Sequence, residues 1–282
     1  MYYAKFQNSK GETFNFGYRH GNIFDIDGLT GHDVSVALSQ GFNQIGETVE
    51  GLSIKSKELE IRGFLLNDAT ASKEKMLAVF APRESGRLVF EDKYYLDCVV
   101  YKSPVIGVQK RDPEFELVLT APYPYWQTIS ASNYVVGDYI PAFRFPVNYA
   151  QPHTFGVKSA SAFINCINSG EVEAYYKLTF STKTTTVNPG IINVQTQEFL
   201  KLNVTVNQGE RYTVFRNGGR LMVEKESGGV KEDAFTLLDE DSDLLYIHVG
   251  DNVIRASADE GEDQLITTIT FNPAVVGVYE GI

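Results

Sequence analysis

The six residues Ala121-Pro122-Tyr123-Pro124-Tyr125-Trp126 restrict the possible folds of this chain more than any other stretch. They hold two prolines and the only tryptophan, and Pro141, Pro146 and Pro152 follow within 30 residues. Because proline fixes φ and lacks a backbone donor, a central strand cannot run through this region. The stretch is rich in aromatic residues rather than in Gly and Ser, which are typical of flexible linkers. It therefore predicts an ordered joint between two domains.

The length of 282 residues also indicates about two domains. We place the first at residues 1–128 and the second at 129–282, with 129–155 as a connecting segment rich in proline and aromatic residues. A hydrophobic fraction of 43% is ordinary for a globular protein, and an aromatic fraction of 12% favours β structure.

The net charge of −11 argues against a large surface that binds nucleic-acid phosphates, which needs clustered Lys and Arg. It also disfavours docking on anionic membranes. No run approaches the roughly 18 apolar residues of a membrane span, and residues 1–5 show no apolar core of a signal peptide. We expect synthesis in the cytoplasm, with Cys98 and Cys166 as free thiols in a reducing compartment.

Hydrophobic periodicity predicts a mainly β protein with one short helix. The helix is expected from Ser72 to Ala81, with Ser72 as its cap and Pro82 after its end; its apolar stripe would be Met76, Leu77, Val79 and Phe80. A separate strand is expected to start at Pro104 and run to Val108. After the joint, short strands separated by Gly/Asn turns predict a β-sandwich.

Glycines punctuate residues 40–53 at Gly41, Gly46 and Gly51, a pattern that indicates a long hairpin or an extended loop. Just before it, apolar residues at 34, 36 and 38 alternate with small ones. One interpretation of the glycine-rich stretch is a mobile surface loop. The other is an arm that reaches a neighbouring subunit, since long loops often carry function. The sequence leaves both open.

No motif in the chain indicates catalysis, a metal site or a cofactor. It has no phosphate-binding Gly-rich loop and no nucleophile elbow, and the histidines are dispersed without metal-ligand spacing (His20, His32, His153 and His248). Asp239, Asp241 and Asp243 imitate the start of a calcium loop. However, Leu244 stands at the sixth position instead of Gly, and Gly250 stands at the twelfth instead of Glu. We therefore expect a solvated acidic turn.

Aromatic residues keep a second function class open, a carbohydrate-binding β-sandwich protein that recognises cell-surface glycans. Sugar rings stack on exposed aromatic side chains, provided that polar groups converge beside them. The candidates are Tyr123, Tyr125 and Trp126 at the joint, and Tyr175, Tyr176, Tyr212 and Phe215 on later strands. The structural alternative is that the joint residues are packed between domains and that alternation buries about half of the others.

An ordered set of short motifs resembles the distal tail (Dit) proteins of long-tailed, siphovirus-type phages and prophages. In the first half the motifs are Ile26-Asp27-Gly28-Leu29, Leu59-Glu60-Ile61-Arg62-Gly63 and the joint at 121–126. In the second half they are Asn168-Ser169-Gly170-Glu171, Asn188-Pro189-Gly190-Ile191-Ile192-Asn193, Gln208-Gly209-Glu210, Leu237-Leu238-Asp239-Glu240-Asp241-Ser242-Asp243 and Gly250-Asp251-Asn252-Val253-Ile254.

The resemblance implies a virion structural protein rather than an enzyme. Its first domain would be a tail-tube-like sandwich with one helix that builds a homo-hexameric ring at the tail tip, and its second a galectin-like sandwich. The ring would join the tail-tube protein to the tail-tip hub protein, carry receptor-binding proteins in some phages and let DNA pass without reading its sequence. No membrane insertion is implied. The expected ring contacts are Gly41, Phe42, Asn43, Gln44, Ile45, Gly46 and Gly51, and the joint is Pro122, Tyr123, Pro124, Tyr125 and Trp126.

Overall fold

The computed structural model of the chain describes residues 3–66, 69–109, 111–137, 139–141, 156–158, 163–217, 219–243 and 246–279. Its contacts divide the chain into two compact units. Unit 1 comprises Met1–Ser130 and Ala274–Ile282, and unit 2 comprises Ala131–Pro273. The chain therefore leaves unit 1 once and returns to it. Pro146, Pro152 and His153 lie outside the described residues.

The described residues form one α-helix and twenty-five strands. The first part contains β1 Ala4–Asn8, β2 Thr13–Phe16, β3 Asn22–Asp27, β4 Val34–Ser39, β5 Thr48–Ile54, β6 Lys57–Leu65, α1 Thr70–Val79, β7 Ser85–Phe90, β8 Tyr94–Ile106, β9 Glu114–Ala121 and β10 Trp126–Thr128. Next are β11 Ser132–Val136, β12 Tyr139–Pro141, β13 Gly156–Lys158, β14 Phe163–Asn168, β15 Tyr176–Thr182, β16 Thr185–Val187, β17 Gly190–Asn193, β18 Phe199–Lys201 and β19 Thr205–Asn207. The last are β20 Glu210–Asn217, β21 Arg220–Ser227, β22 Val230–Asp233, β23 Gly250–Ser257, β24 Leu265–Phe271 and β25 Ala274–Val275. Short 3-10 turns occur at Tyr18–His20, Phe235–Leu237 and Glu262–Gln264.

Unit 1 is built on a continuous antiparallel sheet with the strand order β2-β1-β7-β8-β9-β6-β3. The sheet curls. The strands β2 and β3 lie at its two ends, yet the rings of Phe16 on β2 and Phe24 on β3 are only 5.3 Å apart. Alternation along each strand places one set of side chains inside the curl, as on β9, where Phe115, Leu117 and Leu119 are buried. The mainly β class predicted from the sequence is confirmed.

Helix α1 covers the aromatic core of unit 1. Met76 and Val79 are buried on one face, and Phe80 at the helix end stacks on Phe6 with ring centroids 4.6 Å apart. Burial of such a side chain contributes roughly 1.5–3 kcal/mol. Leu77 is half-exposed, so its predicted place in the apolar stripe was wrong. Its position is one residue, about 100°, away from the buried 76/79/80 face.

The start of α1 also differs from the prediction. The helix begins at Thr70 after the buried Ala69, so Ser72 lies inside its first turn and not at the cap position that the sequence predicted. The Nζ of Lys73 donates to the carbonyl oxygens of Gly107 and Gln109, at 3.1 and 3.0 Å, and ties the first turn to a loop.

Pro104 does not begin a new strand as predicted. It lies inside β8, where the pairing with β9 shifts register between Lys102 and Val105. A proline is tolerated at such an irregularity because its nitrogen is not needed for the ladder there.

Unit 2 is a β-sandwich of two antiparallel sheets. Its six-stranded sheet has the order β11-β24-β15-β20-β21-β22, and its four-stranded sheet the order β14-β23-β17-β18. Their inner faces form one core, with Leu178 and Phe180 from the first sheet and Ile191 and Ile254 from the second. As predicted, every second side chain of these strands points to the inner face of its sheet and contributes to this core.

Candidate functional site: an exposed hairpin arm

Strands β4 and β5 pair only with each other among the described residues and form a hairpin that we call the arm (residues 34–54). Every residue of both strands is exposed. A two-stranded hairpin without a covering layer is at best marginally stable in water. The arm is therefore a hairpin that no layer of the described residues covers.

The apolar side chains of the arm all lie on one face. The register places Val34 opposite Ile54, Val36 opposite Leu52 and Leu38 opposite Val49, and directly opposed residues share a face. All six are between 47% and 69% exposed. The other face carries small and polar side chains, at Ser35, Ala37, Ser39, Thr48 and Ser53. The arm is thus amphipathic, and no described residue covers its apolar face.

A bulge at Glu50 maintains this separation of faces. Ala37 pairs with Gly51 and Leu38 with Val49, so Glu50 is the extra residue. In a regular ladder Leu38 would oppose Glu50, and the apolar row would be interrupted by a carboxylate. A one-residue slip exchanges the faces of a strand, and here the bulge corrects the register. The Glu50 carboxylate instead accepts a hydrogen bond from the Ser39 hydroxyl on the polar face.

The tip of the arm is held in shape by Gln44. Its side-chain oxygen accepts a hydrogen bond from the Gly41 amide at 2.9 Å, and its side-chain nitrogen donates to the Thr48 hydroxyl at 2.9 Å. The result is an ordered tip on which Phe42 and Ile45 are fully exposed, at 99% and 103%. The residues that the sequence predicted as ring contacts, Gly41, Phe42, Asn43, Gln44, Ile45, Gly46 and Gly51, all lie in the arm; their contact with a neighbouring subunit stays a prediction.

Sequence reasoning missed the apolar face itself. The alternation at 34–38 was visible, but only the pairing with 48–54 shows that both halves build one surface. The sequence does carry a signal for this face, because a second set of apolar residues follows the glycine-rich tip.

The arm leaves unit 1 at what we call the root, residues 28–33 before the arm and 55–57 after it, which is held by hydrogen bonds from buried side chains. Lys57, only 5% exposed, donates from Nζ to the carbonyl oxygens of Gly28, Thr30 and Gly31, at 3.2, 3.5 and 2.6 Å. Desolvation lowers the pKa of this ammonium, and the nearby Asp33 carboxylate partly opposes that effect. Lys57 lies just after the arm and its acceptors just before it, so this side chain joins the two legs of the root.

Gly28 makes this root geometry possible. Its φ is +91°, and a Cβ there would lie 2.3 Å from the carbonyl oxygen of Glu58. Only glycine fits both the conformation and the close approach.

The residues of the predicted joint also contribute to the root. Trp126 is fully buried in unit 1, and its indole nitrogen donates to the carbonyl oxygen of Leu29 at 3.0 Å. Tyr123 and Tyr125 are half-buried beside it with ring centroids 5.5 Å apart, and the ring of His32 lies 4.9 Å from that of Tyr125. Strand β9 ends at Ala121 before the two prolines, as their chemistry requires.

The outer face of the sheet in unit 1 is acidic along β3, β6 and β9. Asp25 and Asp27 on β3, Glu58 and Glu60 on β6, and Glu114 and Glu116 on β9 all point away from the core. Two cations lie among them: Arg62 contacts Glu60 at 2.6 Å, and Lys102 contacts Glu116 at 2.6 Å. We call this surface the acidic face; it carries six carboxylates against two cations.

One cluster of titratable groups in unit 2 was not predicted. His248 lies between two carboxylates, with Nδ1 2.9 Å from Glu173 and Nε2 3.3 Å from Glu198. The isolated bridge between Ala174 and Ile247 brings Glu173 beside His248. These residues are 75 and 50 positions apart, so no local pattern indicates the cluster. Among the described residues, no group of three or more His, Cys, Asp or Glu is arranged to hold a metal ion.

The acidic turn at 239–243 uses its carboxylates for hydrogen bonds within unit 2. Asp239 accepts hydrogen bonds from the Asn203 side chain and the Asp241 amide, at 2.9 and 3.0 Å, and Asp243 accepts one from the Phe199 amide at 3.1 Å. Its carboxylates therefore shape a turn.

Three of the seven aromatic candidates for sugar binding are buried, since Trp126, Tyr176 and Tyr212 are at most 9% exposed. Tyr123, Tyr125 and Phe215 are half-buried. Tyr175 is half-exposed, but the guanidinium of Arg216 lies 4.6 Å above its ring. The aromatic candidates for sugar stacking that remain are therefore partly buried rings.

Unit 1 is the curled sheet with its helix, and unit 2 is the sandwich that follows it. Together they form the fold that is found in phage distal tail and baseplate proteins. The Dit protein (gp 19.1) of phage SPP1, described as a paradigm of the hub adsorption apparatus of phages that infect Gram-positive bacteria, superposes with a TM-score of 0.64. The alignment covers 96% of this chain and 98% of that one at 12% identity.

Chains of the phage P2 baseplate in its activated conformation show the same similarity. The calcium-containing structure gives a TM-score of 0.57 at 10% identity, and the strontium-containing structure gives 0.52 at 11% identity. Both alignments cover 98% of this chain and 99% of the other. The resemblance inferred from the sequence is thus confirmed at the level of the fold.

Comparisons of the sequence alone find no match. No protein-family model matches the chain, and no curated protein matches it. Within the described part of the chain, no helix has the length and apolar character needed to cross a membrane.

Proposed function

We propose that this chain is a structural component of a phage tail tip, where six copies form a ring that connects the tail tube to the tail-tip hub. The observation that carries the proposal is the arm, whose apolar face and tip are exposed in the single chain. The fold shared with the SPP1 Dit protein and the P2 baseplate chains supports the same role.

The partner of the arm is a second copy of the chain. Exposed apolar surface of this extent marks an interaction site. An arm that docks on a different surface of the next copy makes a heterologous contact, and such contacts close into rings when the rotation allows it.

The acidic face is the surface of unit 1 that suits a channel for DNA. Six carboxylates on three neighbouring strands repel phosphates, so DNA passes without adhering. The proposed partners of the ring are the tail-tube protein, the hub protein and, in phages that carry them there, receptor-binding proteins. The role is geometric rather than enzymatic, and its place is the virion.

The test is the mass of the particle in solution, measured by light scattering after size exclusion, with electron microscopy of large species. We expect a ring with six times the 31.5 kDa of one chain. The double substitution Phe42→Ser and Ile45→Ser removes the apolar tip and is expected to give monomers. Since both side chains are fully exposed, the stability of the monomer should change by no more than about 0.5 kcal/mol.

A matched control is Val230→Ser, which removes a 61% exposed apolar side chain from β22 of unit 2 and should leave the ring intact. A wild-type protein that stays monomeric, both alone and with purified tail-tube protein, contradicts the proposal. A double variant that forms rings as well as the wild type contradicts the arm as the contact between copies.

A further inference from the structure

A segment from the far end of the described chain packs against the root of the arm. Residues 274–279, which we call the returning segment, belong to unit 1 although unit 2 precedes them in sequence. Strand β25 pairs with β10, with Ala274 opposite Gln127 and Val275 opposite Trp126. The chain then continues alongside residues 29–32.

Three hydrogen bonds join these stretches. The Val278 amide donates to the carbonyl oxygen of Leu29 at 3.2 Å, and the Trp126 indole donates to the same oxygen at 3.0 Å. The His32 imidazole Nε2 lies 2.7 Å from the carbonyl oxygen of Val276 and donates to it. A tryptophan from the joint and a peptide from the returning segment therefore share one acceptor on the root.

Close packing accompanies the hydrogen bonds. Val278 is only 1% exposed and belongs to the core of unit 1. Gly277 lies directly against Thr30: a Cβ at Gly277 would be 3.1 Å from both the Cα and the Cγ2 of Thr30. The backbones approach so closely there that a larger residue would push the root away.

These contacts end just before the arm begins. They involve Leu29, Thr30 and His32, and the first strand of the arm starts at Val34. On the other leg, the Lys55 amide donates to the carbonyl oxygen of Asp33 at 2.9 Å, and Lys57 follows. A two-stranded hairpin held on both legs cannot swing without breaking bonds at its root.

We propose that the returning segment is a clasp that fixes the direction of the arm and makes it competent to dock. An arm held in its docking direction loses less conformational freedom on binding, which raises affinity without any new contact at the interface. Residues 274–279 are synthesised after residues 131–273. The clasp therefore closes only once unit 2 has been made, and the docking-competent arm is restricted to chains that contain both units. The part of this inference that concerns docking rests on the proposed function.

The test measures the direction of the arm and the assembly of the ring separately. Spin labels at Glu47→Cys on the arm and Lys75→Cys on α1, diluted with unlabelled protein, report the distribution of distances between arm and unit 1. In Gly277→Val we expect this distribution to broaden, and ring formation to weaken roughly tenfold. The control Tyr279→Ala alters a 62% exposed side chain of the same segment and should change neither quantity.

A milder variant covers the case in which Gly277→Val does not fold. His32→Ala removes one hydrogen bond of the clasp and leaves Val278 in the core, so a smaller broadening is expected. An unchanged distance distribution in the folded variants overturns the clasp. Broadened distances with wild-type ring formation overturn its role in docking. If the wild type stays monomeric, alone and with tail-tube protein, while Gly277→Val broadens the distances, the proposed function fails and the clasp's hold on the direction of the arm stands.

Discussion

The indole nitrogen of Trp126 donates to the carbonyl oxygen of Leu29 across 97 residues of sequence, at 3.0 Å. The same ring packs 5.9 Å from that of Phe90 in the core. Because the two prolines before it end β9, the chain can turn and place the tryptophan beneath the root of the arm. The joint that stands out in the sequence therefore helps to hold the root of the arm.

Substitutions of Trp126 should separate its two contributions. Trp126→Phe keeps a buried ring but loses the donor to Leu29, and we expect a loss of about 1–3 kcal/mol in the free energy of unfolding. Trp126→Ala also leaves a cavity, so its loss should reach about 3–5 kcal/mol. Urea unfolding followed by circular dichroism measures both, since the substitutions remove the only tryptophan fluorophore. A Trp126→Phe variant as stable as the wild type would show that the hydrogen bond contributes nothing.

Lys57→Met tests the other support of the root. The substitution keeps most of the buried volume but leaves three carbonyl oxygens without their shared donor. Hydrogen bonds to a charged group contribute about 1.5–3 kcal/mol, so we expect a net loss of about 1–3 kcal/mol in urea unfolding. Lys55→Met, two residues earlier and exposed, is the control and should change stability by less than about 0.5 kcal/mol. A stabilised Lys57→Met variant would show that desolvation of the ammonium outweighs its bonds.

The His248 cluster makes unit 2 sensitive to pH. Desolvation lowers the pKa of His248, but the hydrogen bonds to Glu198 and Glu173 outweigh it and raise the net pKa above its ordinary value. A raised pKa in the folded state means that the folded chain binds more protons than the unfolded one. The contribution to stability is therefore complete below about pH 6.5, the unfolded pKa, and is lost as the pH rises through the folded pKa.

His248→Gln should remove this pH dependence. Since the imidazole is about one-third exposed, we expect the variant to lose less than about 1 kcal/mol at pH 5.5 and nothing at high pH. Urea unfolding at both pH values checks the difference, and NMR titration of the imidazole measures the pKa directly. A pKa below its ordinary value would contradict the ion-pair geometry.

Both cysteines should resist thiol reagents in the native protein. Cys98 and Cys166 are free and buried, and burial raises the pKa of the Cys98 thiol and that of the Cys166 thiol, the latter to about 12. Because the thiolate is the reactive form, a disulfide reagent at pH 8 should modify neither residue until denaturant is added. Rapid modification of the native chain would show that one unit opens locally.

Much of the fold follows from local patterns. Alternation predicted many of the strands of both units, and the prolines predicted the end of β9. The predicted helix lies within two residues of the observed one, but its start was misplaced at Ser72. The glycine-rich tip identified the arm's end, yet the apolar face of the arm was missed.

Local sequence patterns suffice for the β class, the single helix and the similarity to distal tail proteins, because these depend on short periods and on residues close together in the chain. The surfaces and contacts that these elements build depend on the folded chain. A period of two residues shows which side chains share a face of a strand, but not whether another layer covers that face. Contacts such as those of Leu29 with Trp126 and Val278, or of His248 with two glutamates, join residues dozens to hundreds of positions apart. Their geometry exists only once the chain has folded.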